Sequence, residues 1–338
     1  MQILNSSIPP RYFRTAVGSF LHGLDESERN DIYLILFIAQ TDPTLHPAWS
    51  EGWMEKVADK VIAYGPEEQW KHLQELERNK ELREKALFDY TYLLKECNKV
   101  RAKYIAMIED DVIAMDGWYH RTRQALAQAE EQTKRSTKDS FLYLRLFYTE
   151  QFLGFNSEGW LTYLVASVAA VTVEMLLLLA IRLRFPKYGG FLTYQIIFLV
   201  CGICTPPFIT LFFLAGRVSM LPLSTGVAPM PNYGCCSQGL VFPQTRISDV
   251  VGWYESKKIG YVDVLTEEYG MARDELRYAV TPSVLQHIGR KSSKGNDYGK
   301  ALRYSMSVAG RLWNFAFETN TGEDLHSEHL RHIKKSHG

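Results

Sequence analysis

Three consecutive carboxylates are the group in this sequence best placed to do chemistry. Glu109, Asp110 and Asp111 directly follow the short apolar run Tyr104–Ile108, which has the length and the polar boundaries of a buried strand. In open α/β sheets, ligands bind just beyond the carboxyl ends of the strands. Carboxylates clustered there can hold a hard divalent cation, and that cation can neutralise a diphosphate. A solvated acidic turn is the alternative that these three residues alone leave open.

The sequence around the carboxylates alternates between strand and helix patterns. Apolar runs at 33–39 and 61–64 predict buried strands that end at proline-containing turns. Residues 67–101 have one apolar face and many charges, which predicts one or two amphipathic helices. After the carboxylates come a polar helical pattern at 117–138 and an aromatic strand at 141–147. This alternation predicts an α/β fold.

The composition limits the partners that the chain can have. Lys+Arg and Asp+Glu both number 38 in 338 residues, so there is no excess of positive charge for a nucleic-acid backbone, and no nucleic-acid partner is expected. The five cysteines are too few and too unevenly spaced for a disulfide scaffold. Cys201 and Cys204 form a C-x-x-C, but they lie inside an apolar run, which disfavours a redox or zinc motif.

Two long apolar stretches in the second half predict a transmembrane hairpin. Residues 161–181 carry one charge, Glu174, and residues 191–215 carry none, so each can cross a bilayer core. Glu174 then needs a hydrogen-bond partner or a function. The turn between the stretches is basic, with Arg182, Arg184 and Lys187. By the positive-inside rule the turn is cytosolic and both flanks are lumenal. A pair of buried helices in a large soluble core is the alternative.

The hairpin divides the chain into four segments. Residues 1–159 and 217–322 are expected to build one α/β domain together, with the hairpin at 160–216 between them. Residues 323–338 are polar and basic and are expected to form a loose tail.

Two segments on opposite sides of the hairpin resemble a known family. Residues 107–113, Met-Ile-Glu-Asp-Asp-Val-Ile, and residues 282–289, Pro-Ser-Val-Leu-Gln-His-Ile-Gly, resemble the paired signatures of N-acetylglucosaminyltransferase IV-like glycosyltransferases. With a hairpin interrupting the domain, the chain is similar, more narrowly, to the Golgi family of post-GPI-attachment N-acetylgalactosamine transferases. The resemblance covers most of residues 11–315, including the Arg-Leu-Phe-Tyr-Thr-Glu segment at 145–150.

The resemblance implies a type A glycosyltransferase (GT-A) fold interrupted by the transmembrane hairpin. It implies a multi-pass Golgi membrane protein with a lumenal catalytic domain. It also implies Mn²⁺ or Mg²⁺ as cofactor, UDP-GalNAc as donor, and the mannose core of a GPI anchor as acceptor, with inversion of the sugar. The family carries a further transmembrane segment near the N-terminus and a strand before Arg11. Neither is recognisable here, so part of the nucleotide pocket is expected to be absent.

The resemblance also implies roles for individual residues. Asp111 and His287 correspond to metal ligands, and Asp263 to the general base that takes the acceptor hydroxyl proton. His287 has an ordinary hydrogen-bonded histidine as its alternative, and Asp263 a helix N-cap. Around the donor, Glu109 and Asp110 would meet metal-bound water or ribose, Gln238 and Gly239 would line the donor or acceptor pocket, and Asp42 and Arg11 would lie near the base.

Two other functions remain open at this point. One is a UDP-GlcNAc transferase of the N-acetylglucosaminyltransferase IV type that acts on N-glycans. The other is a non-catalytic membrane scaffold that keeps a degenerate glycosyltransferase fold. A two-helix transporter subunit is disfavoured, because α/β patterns flank the hairpin on both sides.

Overall fold

A computed structural model describes residues 12–65, 69–232, 234, 236–289 and 313–336. It divides into two compact units. The α/β unit comprises Met1–Glu150 and Ser224–Gly338, and the hairpin unit comprises Gln151–Leu223. The expectation of a mixed α/β protein with two long apolar helices is confirmed.

The elements follow one another along the chain as a mixture of short strands and helices. The strands are β1 (Ile35–Ile38), β2 (Lys60–Ala63), β3 (Tyr104–Ile108), β4 (Val112–Ala114), β5 (Tyr143–Arg145), β6 (Gly226–Pro229), β7 (Gly239–Pro243), β8 (Arg277–Thr281) and β9 (Leu285–His287). The helices are α1 (Tyr12–Leu21), α2 (Glu26–Asn30), α3 (Met54–Val57), α4 (Trp70–Asn79), α5 (Leu82–Asn98), α6 (Trp118–Lys134), α7 (Glu150–Leu153), α8 (Trp160–Arg184), α9 (Pro186–Gly189), α10 (Tyr194–Leu199), α11 (Thr205–Leu214), α12 (Arg217–Met220), α13 (Ile247–Lys257), α14 (Val262–Ala272), α15 (Phe315–Glu318) and α16 (Gly322–Ser336).

A five-stranded sheet in the order β3-β7-β5-β8-β6 forms the centre of the α/β unit. Its pairs are antiparallel except for β5 and β8, which are parallel. Two smaller sheets accompany it, parallel β1-β2 and antiparallel β4-β9. Strands from before the hairpin therefore pair directly with strands from after it.

The central strands are buried on both faces. Every residue of β5, β7 and β8 is buried, and helix α6 covers one face with Ala125, Leu126 and Ala129. Strands covered on both sides have continuous apolar runs rather than an alternating pattern. The aromatic run at 141–147, which predicted a strand, contains β5 and is of this continuous kind.

A cavity of about 760 Å³ lies between β1 and β3. Within the described ranges, β1 pairs only with β2, and β3 pairs only with β7. The cavity is lined continuously by residues 31–40 and 102–110, so it follows both strands to their carboxyl ends. The acidic residues Glu109 and Asp110 line that end of it.

The hairpin unit contains two helices that are long and apolar enough to cross a membrane, Ser157–Arg184 and Tyr194–Leu214. In their most apolar windows only 0% and 11% of the residues are buried, which is not the burial expected of helices in a soluble core. The second is continuous through a five-residue π turn, Val200–Cys204, after which Pro206 and Pro207 occupy the first turn of α11. Proline has no N–H to donate, and a local π turn is one way in which an apolar helix accommodates the missing hydrogen bond.

Glu174 has a partner within the hairpin. The hydroxyl of Thr205, the residue that follows the π turn, lies 2.7 Å from Glu174 Oε2. This hydrogen bond joins the two long helices and gives a partner to Glu174, the one acidic side chain of α8.

The C-terminal residues form helix α16, so the prediction of a loose tail is wrong. Leu325 and His329, one helical turn apart, are both buried, and His329 Nε2 lies 2.8 Å from Glu28 Oε2. Arg121 on α6 forms an ion pair with Glu328 at 2.7 Å. The segment is polar in composition but forms an amphipathic helix, and its buried side includes a histidine rather than only apolar residues.

We expect the docking of α16 to contribute to stability. Leu325→Ala should lower the free energy of unfolding by about 2–5 kcal/mol, because it removes a buried side chain. Leu330→Ala on the same helix should change it by less than about 0.5 kcal/mol, since Leu330 is 44% exposed and Leu325 only 3%. Thermal unfolding of the detergent-solubilised full chain measures both. Equal effects would show that α16 is not docked in this way.

Candidate functional site

The acidic residues lie where two antiparallel strand pairs meet. Strand β3 ends at Ile108, opposite Gly239 of β7, and β4 begins at Val112, opposite His287 of β9. The turn between them is Glu109-Asp110-Asp111. The registers therefore place the acidic turn beside Gln238 on one side and His287 on the other.

Asp111 and His287 are in direct contact. Asp111 Oδ2 lies 3.0 Å from His287 Nε2, both side chains are buried, and the N–H of Ile288 donates to the Asp111 carbonyl at 2.8 Å. Burial acts to lower the pKa of His287, but its hydrogen bond to Asp111 and the charge of Asp111 outweigh burial and raise it. Sequence positions that are 176 residues apart thus form one site.

Glu109 and Asp110 are held in different ways. Glu109 Oε1 accepts a hydrogen bond from Ser237 Oγ at 2.5 Å, and Glu109 N–H donates to the Gln238 carbonyl at 3.2 Å. Burial raises the pKa of Asp110, and the neighbouring charge of Asp111 raises it further. With Asp111 buried and Glu109 bonded to Ser237, these residues do not form the solvated acidic turn that was the alternative.

The Asp111–His287 pair has the spacing of two ligands of one divalent cation. The 3.0 Å between Oδ2 and Nε2 is about the spacing of neighbouring ligands around an octahedral ion with bonds of about 2.1 Å. The buried atoms Asp110 Oδ1 and Asp111 Oδ1 have no protein partner among the described residues. No cluster of three or more His, Cys, Asp or Glu side chains in the described ranges is arranged to hold a metal. An ion here would therefore need water and ligand oxygens as well, as Mg²⁺ commonly does.

Asp263 lies in the first turn of α14, so the N-cap alternative is wrong. The N-cap residue is Tyr261, and Asp263 Oδ1 accepts from its neighbour, the N–H of Val264, at 2.9 Å. The amino end of a helix favours a negative charge. Within the described chain, no hydrogen bond or ion pair joins Asp263 to Asp111 or His287.

The remaining predicted residues lie in varied places. Gln238 meets Glu109 through its backbone, and its Oε1 has no partner among the described residues. Gly239 is buried in β7, where a Cβ would lie 2.7 Å from Leu285 Cδ1, so a larger residue would have to displace the end of that leucine side chain. Asp42 is exposed, accepts from Thr44 N–H at 3.0 Å and does not line the cavity. Arg11 lies outside the described residues.

A protein-family model described as GPI-N-acetylgalactosamine transferase PGAP4 matches residues 5–286. The chain belongs to this family. The resemblance in the sequence is therefore confirmed, and the family is one of glycosyltransferases. The matched residues include the acidic turn and Asp263 and end directly before His287. Comparison with curated proteins gave no match, and comparison with solved structures gave none either.

In this member of the transferase family, sequence reasoning missed a buried ionic cluster behind the acidic turn. Arg145 Nη2 lies 2.7 Å from Glu267 Oε1, and Arg277 Nη1 lies 2.5 Å from Glu267 Oε2. The Tyr143 hydroxyl also donates to Glu267. Burial acts to lower the pKa of Arg145, but Tyr143 and Glu267, and more weakly Asp263, raise it. The sequence does carry a signal for this cluster, since β5 and β8 each contain an arginine within an otherwise apolar strand. A buried charge requires a buried partner, so these arginines indicate a buried acidic residue nearby.

The ionic cluster also holds the loop that precedes β7. Arg145 donates to the Cys236 carbonyl, and Arg277 donates to the Asn232 carbonyl at 2.8 Å. A Cβ on Gly234 would lie 2.9 Å from Glu267 Oε1. The same loop carries Ser237 to Glu109, so the cluster supports the acidic turn from behind.

Removing the shared carboxylate should destabilise the protein strongly. Glu267→Ala leaves two buried guanidinium groups without their counter-charge, and we expect a loss of about 3–5 kcal/mol. Glu268→Ala at the next position is the matched control, since its side chain is 47% exposed and that of Glu267 only 3%. Its effect should stay within about 0.5 kcal/mol. Thermal unfolding of both variants measures the two effects. Similar melting temperatures for Glu267→Ala and Glu268→Ala would contradict a stabilising role of the ionic cluster.

Proposed function

We propose that this chain transfers GalNAc from UDP-GalNAc to the mannose core of GPI anchors, with inversion, in a GT-A domain. The observation that carries the proposal is the contact between Asp111 and His287, which joins the acidic motif to the late motif across the hairpin. The family match supports the same activity.

Asp111 and His287 are the residues that would hold Mn²⁺ or Mg²⁺ together with the donor diphosphate. Such an ion neutralises the negative charge that develops on the UDP leaving group. Glu109, fixed by Ser237, and Asp110 then add acceptor oxygens around the donor. Gln238 and Gly239 follow Ser237 and border the same turn.

Asp263 is the proposed general base. Inversion in a single displacement needs one group to take the proton from the attacking hydroxyl. Asp263 lies at the amino end of α14, where a carboxylate is favoured. Its neighbours Gly260, Tyr261 and Val262 line the same cavity as Glu109 and Asp110, which supports a place for Asp263 near the donor.

The hairpin is proposed to place catalysis at a lumenal Golgi membrane surface. A domain attached to the bilayer meets a membrane-anchored acceptor at a high effective concentration. Cys236 is disulfide-bonded, which is compatible with an oxidising lumenal compartment.

A transfer assay with two donors and two acceptors tests the activity. The full chain in detergent should transfer GalNAc to a GPI glycan. It should not use UDP-GlcNAc as donor, and it should not use an N-glycan as acceptor.

Asp263→Ala should lower the rate of GalNAc transfer by about 10²–10⁴-fold, the usual contribution of a general base. Asp111→Ala should lower it by about 10²-fold or more, because a bound ion supplies several kcal/mol. Asp139→Ala, an exposed carboxylate on the surface, is the control.

Each outcome of this assay separates the possible functions. GlcNAc transfer to N-glycans would favour the other transferase. In cells, a chain that still supports GPI maturation after both Asp111→Ala and Asp263→Ala would be a scaffold.

Gly289→Ala tests the position of the Asp111 carboxylate, because the added Cβ would lie 2.2 Å from Asp111 Oδ2. It should lower the rate by about 10²-fold, whereas Gly252→Ala, where a Cβ meets nothing within 4 Å, should not.

The orientation of the hairpin has its own test. In sealed Golgi vesicles, trypsin added outside should cut the basic turn at Arg182–Lys187, since that turn is proposed to be cytosolic. The α/β unit should be protected until detergent is added. Cleavage of the α/β unit in sealed vesicles, with the turn protected, would reverse the orientation.

A further inference from the structure

The ring of His287 is held by packing rather than by a second hydrogen bond. Its Nε2 faces Asp111, and its buried Nδ1 has no partner among the described residues. A histidine that binds a metal almost always donates its other N–H to a carboxylate, a carbonyl or water, which fixes the ring. Here the ring meets that of the fully buried Phe147, with centroids 5.8 Å apart and planes inclined at 61°. The orientation of His287 therefore depends on where Phe147 lies.

The residues on both sides of this phenylalanine are held by buried polar side chains. Before it, Ser283 Oγ lies 2.8 Å from the Leu146 carbonyl oxygen and 2.7 Å from that of Leu285. After it, Asn314 Nδ2 donates to the Tyr148 carbonyl at 2.5 Å. Ser283 and Asn314 are both fully buried. The backbone that carries the phenylalanine is thus fixed at two neighbouring carbonyl groups.

Asn314 also holds the residue that precedes His287. Its backbone N–H donates to Gln286 Oε1 at 3.1 Å, and Gln286 Nε2 donates to the His287 carbonyl at 2.8 Å. Asn314 Oδ1 accepts from the N–H of Phe317 at 3.0 Å and caps α15. Each amide side chain uses its nitrogen as donor and its oxygen as acceptor, so a carboxylate of the same size cannot replace either one without losing a donor.

We propose that Asn314 is a positioning residue for His287. Through its side chain it fixes the backbone beside Phe147, and through its backbone N–H it fixes the backbone beside His287, so that the two rings keep their contact. His287 Nε2 is thereby held in place for a divalent cation. This inference rests on the proposed function, because it concerns the ion of that site.

Calorimetric titration of the full chain in detergent with Mn²⁺ tests this assignment. Asn314→Asp keeps the size of the side chain and its capping oxygen, but it places an acceptor where the Tyr148 carbonyl needs a donor. It should weaken Mn²⁺ binding by about 10–100-fold, the usual effect of losing a group that supports a metal ligand. Gln286→Glu removes the donor to the His287 carbonyl and should act in the same direction.

The transfer assay gives a second readout. In Asn314→Asp, the Mn²⁺ concentration that gives half the maximal rate should rise by the same factor as the dissociation constant. The rate at saturating Mn²⁺ should approach that of the wild type, because the residue acts through the ligand and not on the sugar or the acceptor.

Two control variants separate positioning from a general loss of stability. Asn156→Asp changes an asparagine of the hairpin unit with the same pattern of hydrogen bonds, since its Nδ2 donates to the Phe152 carbonyl at 3.2 Å and its Oδ1 accepts from the N–H of Glu158 at 3.1 Å. Leu325→Ala removes a buried side chain of α16 and lowers stability. Both controls should bind Mn²⁺ as the wild type does.

The outcomes separate this inference from the proposed function. If Asp111→Ala weakens Mn²⁺ binding and Asn314→Asp does not, the inference is wrong and the proposed function stands. If the wild type binds no Mn²⁺, the proposed use of the ion and this inference are both wrong. If Leu325→Ala weakens binding as much as Asn314→Asp does, lost stability explains the effect and the inference is wrong. Should Asn314→Asp not fold, unchanged binding in Gln286→Glu would overturn it.

Discussion

Backbone hydrogen bonding between strands from opposite sides of the hairpin is the constraint on which the rest of the α/β unit depends. Strand β3 pairs with β7, β5 with β7 and β8, and β4 with β9. The central strands are buried, so their N–H and carbonyl groups must pair within the sheet. Once Val112 lies opposite His287, Asp111 and His287 are neighbours whatever length of chain separates them.

The site concentrates charge in a buried environment, and the structure balances that charge in two layers. In front, Asp111 pairs with His287, and Glu109 accepts from Ser237. Behind, Glu267 is shared by Arg145 and Arg277, which also hold loop carbonyls. Such buried ion pairs are costly to break, because removing one partner leaves the charge of the other buried and uncompensated. The acidic turn is thereby supported by groups that themselves have fixed positions.

Local patterns in the sequence predicted the elements well and their polar partners poorly. The strand before the carboxylates is found at Tyr104–Ile108 as predicted, and the runs at 33–39 and 61–64 correspond to β1 and β2. The helical stretch at 67–101 is two helices, because Lys80 takes a left-handed conformation between them. Helix α16 was missed because composition alone does not show that His329 is buried against Glu28.

The sequence by itself determined the α/β pattern, the two long apolar helices, the acidic turn and the family, since periodicity, length and short motifs are local properties. Only the tertiary structure decided which distant side chains meet. It brought Asp111 and His287, which the resemblance made joint metal ligands, into direct contact. It also placed two arginines on Glu267 and buried His329 against Glu28. The reason is physical: strand register and the burial of charge fix these contacts, and both depend on residues that are far apart in the chain.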